Sequence, residues 1–465
     1  MGHNDYFEDT ICAIATPQGM GGIAVIRVSG PNAITVVGKC WRGAPLEGIK
    51  SHTVHLGRVV DTQGELLDQV VLALYRAPHS FTGEDVVEIS CHGSTWIQQQ
   101  ILQTLIDAGC RLATGGEFTR RAYAAGKLDL VEAEAVADVI AAQSQASHRV
   151  AMNQMRGEYS RHLHDLRARL LHFVALIELE LDFSEEDVTF AQRSEVITLA
   201  EELRATINRL TSSFSTGNAI RNGLPVAIVG QTNAGKSTIL NALLHDDRAL
   251  VSNIHGTTRD VIEDTIILGG TLFRFIDTAG IRNSEDIVET MGIERSFEQM
   301  DKAQIVLWVI DATTPAEKVI EFSKQILPHC LDKHLIPIIN KTDLASSDAI
   351  ETAIRPLLPD KSDILTISAK NPHDIETLQK CILSASVLPT IDDNTVIVTN
   401  ARHYQALTQA GIALDRAIDG LKTGLSGDLV SQDIREVLHH LGTITGEITT
   451  HDLLGEIFAH FCIGK

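Results

Sequence analysis

The residues between positions 230 and 237 have the types and spacing that bind phosphate. They read GQTNAGKS, follow the apolar run 225–229 and open a helical pattern. Glycines at both ends let the backbone wrap round a phosphate, so that successive N–H groups and the helix N-terminus face its negative charge. Lys236 would reach the β- and γ-phosphates, and the Ser237 hydroxyl would bind Mg2+. The predicted nucleotide contacts in this loop are Asn233, Ala234, Gly235, Lys236, Ser237 and Thr238.

A second polar segment, NKTD at 340–343, is typical of guanine recognition. It follows the apolar run 336–339. The Asp343 carboxylate can accept hydrogen bonds from guanine N1–H and from the 2-amino group, a pair that adenine does not offer, and a buried carboxylate left unpaired is costly. The segment SAK, after the apolar run 364–367, is predicted to support the base. These two segments add Asn340, Lys341, Asp343, Ser368, Ala369 and Lys370 to the predicted site.

Two further segments are typical of γ-phosphate sensing. DTAG at 277–280 closes an apolar run and would place an acid beside Mg2+. The other segment is GTTRD at 256–260. Its Thr258 hydroxyl would bind Mg2+ only when the γ-phosphate is present, so this segment would act as a switch. Ile281 follows the DTAG glycine and cannot orient a water molecule, so another group must position the nucleophile. The predicted contacts here are Gly256, Thr257, Thr258, Asp277, Thr278, Ala279 and Gly280.

The elements that must hold these segments divide the chain into an α/β part and two helical stretches, preceded by a mixed region. Any one segment alone is compatible with a β-turn, but four in this order at strand ends predict an inserted Ras-like P-loop G domain at 221–385. Residues 1–127 alternate strand-like and helical runs, which predicts an α+β domain. The simplest organisation is one all-α domain, 128–220 plus 386–465, interrupted by the G domain, and the predicted fold class is therefore multidomain α/β.

The helical stretches are predicted from apolar residues that recur at steps of three and four. The stripe continues along each stretch, so a solvated charged helix does not fit it. The first stretch contains Leu163, Leu166, Leu170, Phe173, Ile177 and Leu181. The second contains Leu407, Leu414, Leu421, Val430, Ile434, Val437 and Leu441.

Composition places the chain among globular proteins. It has 465 residues, 44% of them hydrophobic, which is enough for two to four domains with cores. No apolar run approaches the roughly 20 residues of a membrane helix, and residues 1–9 are unlike a signal sequence, so we expect no membrane association and a cytoplasmic location. Seven cysteines without paired-metal spacing argue against a disulfide framework, and most are expected to be buried.

Taken with the terminal segment CIGK, these motifs resemble the MnmE (TrmE) family of tRNA-modification GTPases over the whole chain. The alternative is a regulatory or ribosome-assembly GTPase similar to Era or Der, which would show a compact basic RNA-binding domain after its G domain. No segment here has that character. The N-terminal segments that carry the resemblance are 15–17, 21–30, 81–85, 92–93, 116–118 and 127–130.

The resemblance implies a potassium-dependent GTPase whose two G domains meet around the cation. Asn233, with Ser252, Ile254 and Thr257, would hold K+ where other GTPases insert an arginine, and Ser252, Asn253, Ile254 and His255 would contact the nucleotide. Glu289 matches the family's catalytic acid; the residues alone favour an ordinary carboxylate at a helix start, and the resemblance reverses that preference. The family commonly has proline before the loop asparagine, whereas this chain has Thr232.

The resemblance also implies one-carbon chemistry at the N-terminal domain. A folate, 5-formyl- or 5,10-methylene-tetrahydrofolate, would be lined by Arg27, Glu88, Lys127 and Lys465. Glu88 could pair with two pterin donors, and its alternative is a solvent-facing strand residue. The alternative for Arg27 and Lys127 is surface charge. Cys462 would be a catalytic thiol, with a buried structural thiol as its alternative.

The partners implied are a second copy of the chain, joined through the N-terminal domains, and the flavoprotein MnmG in a heterotetramer that modifies the wobble uridine of certain tRNAs. The formal net charge is −21, and residues 1–127 hold 10 basic and 12 acidic side chains, so the remainder carries −19. Because phosphate contacts need local Lys and Arg, we expect weak tRNA binding that depends on the complex.

Overall fold

The computed structural model describes residues 8–182, 193–244, 264–276, 300–358, 363–386, 396–459 and 461–464. The chain divides into two compact units. The first contains residues 1–140, 152–207 and 406–465, and the second contains residues 141–151 and 208–405. No helix in the described part of the chain is both long enough and apolar enough to cross a bilayer.

The first unit is built on a seven-stranded sheet with the order β3-β4-β5-β6-β2-β1-β7. Its neighbours pair antiparallel except β1 and β7, which run parallel. Two helices, α1 and α2, cover one face, where their apolar side chains share a core with the strands. The strands are β1 Ile11–Ile14, β2 Ile23–Ser29, β3 Trp41–Arg42, β4 Thr53–Val60, β5 Leu66–Tyr75, β6 Val86–His92 and β7 Arg111–Leu112, and the two helices are α1 Ala33–Cys40 and α2 Thr95–Asp107.

The opposite face of this sheet carries polar and exposed apolar side chains. Cross-strand register puts Arg27 opposite Glu88, Glu88 opposite Ala73, and Ala73 opposite Val54. Because side chains alternate along a strand, these four residues share one face. The same face includes Leu56, which, like Val54, is 66% exposed. We call this surface the outer sheet face.

A buried ion network fastens the edge of the sheet to the helix that follows it. Arg121 is only 1% exposed and contacts Asp9 at 2.7 Å, Glu84 at 3.0 Å and Glu117 at 3.0 Å. Burial raises the pKa of Glu117, but hydrogen bonds from Arg111, the Thr114 N–H and Arg121 outweigh it and lower the pKa to about 2. Glu84 of segment 81–85 and Glu117 of segment 116–118 therefore belong to one structural network, which gives an acid in each of these two segments a structural role.

Helices complete the first unit, and the predicted apolar stripes form its helical core. Leu163, Leu166, Leu170 and Phe173 are buried, as are all seven stripe residues predicted for the second stretch. The side chains of Ile177 and Leu181 lie outside the described residues. Helices α6 and α14 pack against each other. The helices here are α3 Glu117–Ala124, α4 Leu130–Ala141, α5 Gln145–Met155, α6 Glu158–Asp182, α7 Arg193–Ser212, α13 Ala401–Thr423, α14 Gly427–Thr445 and α15 His451–Ala459. Of these, α4, α5, α7 and α13 contain residues of both units.

The second unit is a six-stranded sheet with helices on both faces. Its order is β13-β12-β11-β8-β10-β9, and all pairs are parallel except β9 with β10. Helices α9 and α12 pack on one face, and α10 and α11 on the other. The strands are β8 Leu224–Val229, β9 Asp264–Leu268, β10 Thr271–Phe275, β11 Ile305–Asp311, β12 His334–Asn340 and β13 Leu365–Thr366, and the helices are α8 Phe214–Asn222, α9 Lys236–Leu244, α10 Ala316–Ile326, α11 Asp348–Ile354 and α12 Pro372–Ala385.

The predicted fold class is confirmed: an α+β domain, a helical domain and an inserted P-loop domain. In the P-loop domain the carboxyl ends of β8, β11, β12 and β13 meet at one edge, as parallel pairing requires. Segments that follow these strands are thereby brought together. The domain boundaries at 127/128, 220/221 and 385/386 stay predictions.

Candidate functional site

The loop at the end of β8 is shaped by two glycines that have no room for a side chain. Gly230 has φ +156°, and a Cβ there would lie 2.2 Å from the Val309 carbonyl oxygen. Gly235 has φ +98°, and its Cβ would lie 2.2 Å from the Asn340 Nδ2. Any larger residue would have to push away backbone or a buried amide. The loop is therefore a cradle of backbone atoms, as phosphate binding requires.

Lys236 closes this cradle from the first turn of α9. Its Nζ donates hydrogen bonds to the carbonyl oxygens of Gly230 at 2.7 Å and Gln231 at 2.8 Å. Burial lowers the pKa of Lys236. Ser237 beside it is half-buried, while Asn233, at φ +63°, is exposed. The Lys236 ammonium thus lies over the loop. A bound phosphate would give it a negatively charged partner, which is stronger than the neutral carbonyl groups that it contacts here.

Asn340 joins the phosphate loop to the base-binding segments. It is buried at the end of β12, its Nδ2 donates to the Ala234 carbonyl oxygen at 2.9 Å, and its Oδ1 accepts from the Ala369 N–H at 3.0 Å. Both ends of the Asn340 amide are therefore hydrogen-bonded to distant parts of the chain. Ala234 is more than a hundred residues away in sequence, and Ala369 is nearly thirty residues away. The side chain acts as a strut that fixes the spacing between phosphate and base sites.

Asp343 is oriented by the SAK segment. Its Oδ1 accepts from the Ser368 Oγ at 2.9 Å, and its Oδ2 lies 3.5 Å from the Lys370 Nζ. The hydrogen bond from Ser368, with smaller contributions that include the charge of Lys370, lowers the pKa of Asp343. The carboxylate is 35% exposed. It is thus ionised and fixed in place with part of its surface open to a base.

Two residues of this site were not predicted from the sequence. Asp311, at the end of β11, pairs with Lys341 through its Oδ2 at 2.6 Å. Burial raises the pKa of Asp311, but the hydrogen bonds from Lys341 and Thr313 lower it overall. Asp374 accepts a hydrogen bond from the Ser368 N–H at 2.8 Å. Asp311 could have been predicted from the sequence, because it is an acid at the end of an apolar run. Asp374 could not, because an acid in the first turn of a helix is common and does not indicate a binding site.

Several predicted residues lie outside the described part of the chain. They belong to the switch, the sensor, the proposed catalytic acid and the C-terminal residue. They are Ser252, Asn253, Ile254, His255, Gly256, Thr257, Thr258, Asp277, Thr278, Ala279, Gly280, Glu289 and Lys465.

In the first unit, Arg27 and Glu88 pair with each other. The Arg27 Nε and Nη2 lie 2.9 Å and 2.8 Å from the same Glu88 oxygen. The guanidinium also lies over the rings of Phe81 and Phe118, 5.4 Å and 5.6 Å from their centroids. Two aromatic rings and a carboxylate therefore hold Arg27 in one orientation.

Lys127 is exposed and lies near Gly83, in the segment that contains Phe81. A Cβ on Gly83 would lie 3.6 Å from the Lys127 Cε. The structure thus places Lys127 against the 81–85 segment, whereas Arg27 and Glu88 contact each other directly.

Cys462 is an exposed free thiol, so its alternative as a buried structural thiol is wrong. Its carbonyl oxygen accepts from the Gly116 N–H at 3.3 Å, and the Arg27 Nη1 lies 3.4 Å from the Gly464 carbonyl oxygen. Among the other cysteines, five are buried and Cys381 is half-buried, as predicted. The C-terminal segment therefore lies beside the Arg27–Glu88 pair.

Known proteins match this chain along nearly its whole length. The family described as the MnmE helical domain matches residues 130–462, and GTP-binding protein TrmE N-terminus matches residues 10–127. The tRNA modification GTPase MnmE of Bacteroides thetaiotaomicron is 51% identical over 98% of this chain and 100% of its own length. That of Parabacteroides distasonis is 53% identical over the same shares. Among solved structures, a crystal structure of Era with MgGDPNP and a 16S ribosomal RNA fragment is 28% identical over 40% of this chain and 65% of that chain, with a TM-score of 0.27.

Proposed function

This chain belongs to the MnmE (TrmE) family of tRNA modification GTPases, and on that premise we propose that it is a potassium-dependent GTPase working with the flavoprotein MnmG. The product would be an aminomethyl or carboxymethylaminomethyl group at C5 of the wobble uridine of certain tRNAs. One observation supports this most: the chain combines a guanine-type nucleotide site with an exposed cysteine docked beside an arginine–glutamate pair. Relatives matching 98% of the chain are tRNA modification GTPases, which favours this function over an Era-type assembly role.

In the nucleotide site, the chain's own groups bind and orient GTP. Lys236 would exchange its carbonyl partners for β- and γ-phosphate oxygens, and the Asp343 carboxylate would accept from the guanine edge. The Ser237 hydroxyl, half-buried in the first turn of α9, is a suitable Mg2+ ligand. Mg2+ bound there would neutralise charge on the β- and γ-phosphates. Opening and closing of paired G domains would then follow the GTP cycle.

The proposed potassium site is centred on Asn233. This side chain is exposed on the phosphate loop and stands at φ +63°, a conformation that asparagine tolerates better than most residues. An amide oxygen there is a suitable ligand for a hard monovalent cation. A cation at this position would offset the charge that develops during GTP cleavage, as an inserted arginine does in other GTPases.

Replacing K+ with Na+ at equal ionic strength is expected to lower kcat for GTP hydrolysis by about 10²-fold, the cost of losing one charge-stabilising group. Asn233→Ala should give the same loss in K+ and remove the difference between the two salts. Thr232→Ala, its exposed neighbour, is the matched control and should keep it. The rates are measured at saturating GTP, and titration should show that Thr232→Ala binds GDP as the wild type does. Equal turnover in K+ and Na+ would refute potassium dependence.

We place the folate and the homodimer contact on the outer sheet face. Ile23, Val54 and Leu56 are 71%, 66% and 66% exposed, and exposed apolar patches of this kind mark interaction surfaces. The occupant proposed is a second copy of the chain, because residues 1–127 carry a net charge of only −2 and would repel a second copy weakly. Dimerisation there would cover Arg27 and Glu88, so folate would bind at the contact between copies.

The pair Arg27 and Glu88 suits folate chemically, because folate carries both pterin N–H donors and carboxylates. Glu88→Ala is expected to weaken binding of 5-formyltetrahydrofolate by about 10- to 100-fold, the value of hydrogen bonds to a charged group. Equilibrium titration measures this. Glu65→Ala, in the exposed turn between β4 and β5, is the control and should bind as the wild type does. Unchanged affinity in Glu88→Ala would remove Glu88 from the site.

A further inference from the structure

The last residues of the chain form a strap across the N-terminal sheet. We use C-terminal strap for residues 458–464, of which residue 460 is not described. The Cys462 carbonyl oxygen accepts from the Gly116 N–H, and Ile463 forms an isolated antiparallel bridge with Gly115. The main chain from the Cys462 carbonyl group to Ile463 is therefore held by the backbone of residues 115–116.

Glycines make this close approach possible. Gly464 has φ +98°, and a Cβ there would lie 2.4 Å from the Ile14 carbonyl oxygen and 3.0 Å from the Ala15 Cα. Gly116 has φ +66°, and its Cβ would lie 2.8 Å from the Phe458 carbonyl oxygen. These obstacles are backbone atoms, which cannot rotate away as a flexible side chain does. Alanine at either position would force the strap off its seat.

Both ends of the strap are anchored. At the start, Phe458 is buried in a cluster with Leu130 and Ala133, and its ring lies 5.2 Å from that of Phe461. At the end, the Arg27 guanidinium reaches the Gly464 carbonyl oxygen. Arg27 is itself fixed by Glu88, so the strap is tied to the pair that we assign to folate.

We propose that Gly116 and Gly464 are positioning residues for Cys462. They seat the strap so closely that the thiol stays exposed at one fixed place beside Arg27 and Glu88. The inference rests on the proposed function only in giving Cys462 a part in tRNA modification. Because a misplacement of about 1 Å can cost 10²-fold in rate, loosening the strap should lower kcat for modification by about that factor.

Gly464→Ala tests the proposal, because the added methyl group would meet the backbone of residues 14–15, on which the strap sits. Its matched control is Gly455→Ala, an exposed glycine of α15, the helix that leads into the strap, where a Cβ would meet nothing within 4 Å. In the full-length protein, hydrogen exchange by mass spectrometry should show faster exchange of the Gly116 and strap amides in Gly464→Ala and no change in Gly455→Ala. With MnmG and tRNA, Gly464→Ala should lower kcat about 10²-fold and leave the KM for tRNA and the GTPase rate unchanged.

Unchanged exchange in Gly464→Ala would overturn the proposal, because the strap would not depend on that glycine. Faster exchange with full modification activity would also overturn it, because the strap would not position the reacting thiol. Failure of the proposed function is distinguishable: if Cys462→Ser still modifies tRNA, the role of Cys462 is wrong whatever the exchange data show.

Discussion

Asp343→Asn is expected to lower the affinity for GTP by about 10⁴-fold and to create a preference for xanthosine triphosphate. The carboxylate presents acceptors only, and two of the donors on the guanine edge match them. An asparagine replaces one acceptor with an N–H₂ donor, which faces the guanine 2-amino group. Xanthine carries a carbonyl oxygen at that position, so the exchanged group finds a partner again.

The structure indicates that this exchange changes chemistry rather than geometry. Ser368 donates to Oδ1 of Asp343, and the asparagine carbonyl oxygen can accept the same hydrogen bond. Asp332→Asn, at an 84% exposed position, is the control and should bind GTP normally. Equilibrium titration with fluorescent GTP and XTP analogues measures both affinities. If Asp343→Asn keeps its preference for GTP, the base-recognition role of Asp343 is wrong.

Much of the nucleotide site was predictable because parallel β-topology puts strand ends at one edge. The runs 225–229 and 336–339 form buried strands, and the polar segments after them meet as predicted. The pairing within the site was not predictable. Nothing local to Asn340 shows that its amide bridges Ala234 and Ala369, since those contacts depend on how three distant segments pack.

The N-terminal domain shows the same limit. β5 begins at Leu66, before the strand-like run 69–75, because Leu66 pairs with Val60 beyond an irregularity in the register. Where a strand begins because of its pairing with a neighbouring strand, its own residues do not indicate the starting point. Arg27 and Glu88 were assigned as two separate folate ligands, and their mutual pairing follows from the β2–β6 register, which the sequence does not reveal.

The C-terminal segment was the least predictable part of the candidate site. CIGK is too short for periodicity to indicate its structure, and its seat is formed by residues near positions 14 and 115. The structure explains why Gly464 and Gly116 are glycines: at both positions another stretch of backbone approaches too closely to leave room for a Cβ atom. Their identity therefore reflects close approach rather than local turn geometry.

Cys462→Ser is expected to abolish tRNA modification while GTP hydrolysis survives. Serine nearly matches cysteine in size, and the strap is held through main-chain atoms of this residue, so its seat should persist. What changes is reactivity: sulfur is a strong nucleophile, whereas an unassisted hydroxyl is a weak one.

Mass analysis of wobble uridines in tRNA from a deletion strain expressing Cys462→Ser gives the decisive measurement. Modified uridine should fall to the level of the deletion strain, while the purified variant hydrolyses GTP at the wild-type rate in K+. Cys381→Ser, a half-buried thiol in the G domain, is the matched control and should restore modification. Equal loss of both activities in Cys462→Ser would point to a folding defect, and full modification would show that the exposed thiol takes no part in the chemistry. Since GTP hydrolysis depends on the second unit and the thiol lies in the first, separate loss of modification would assign the two chemistries to different units of one chain.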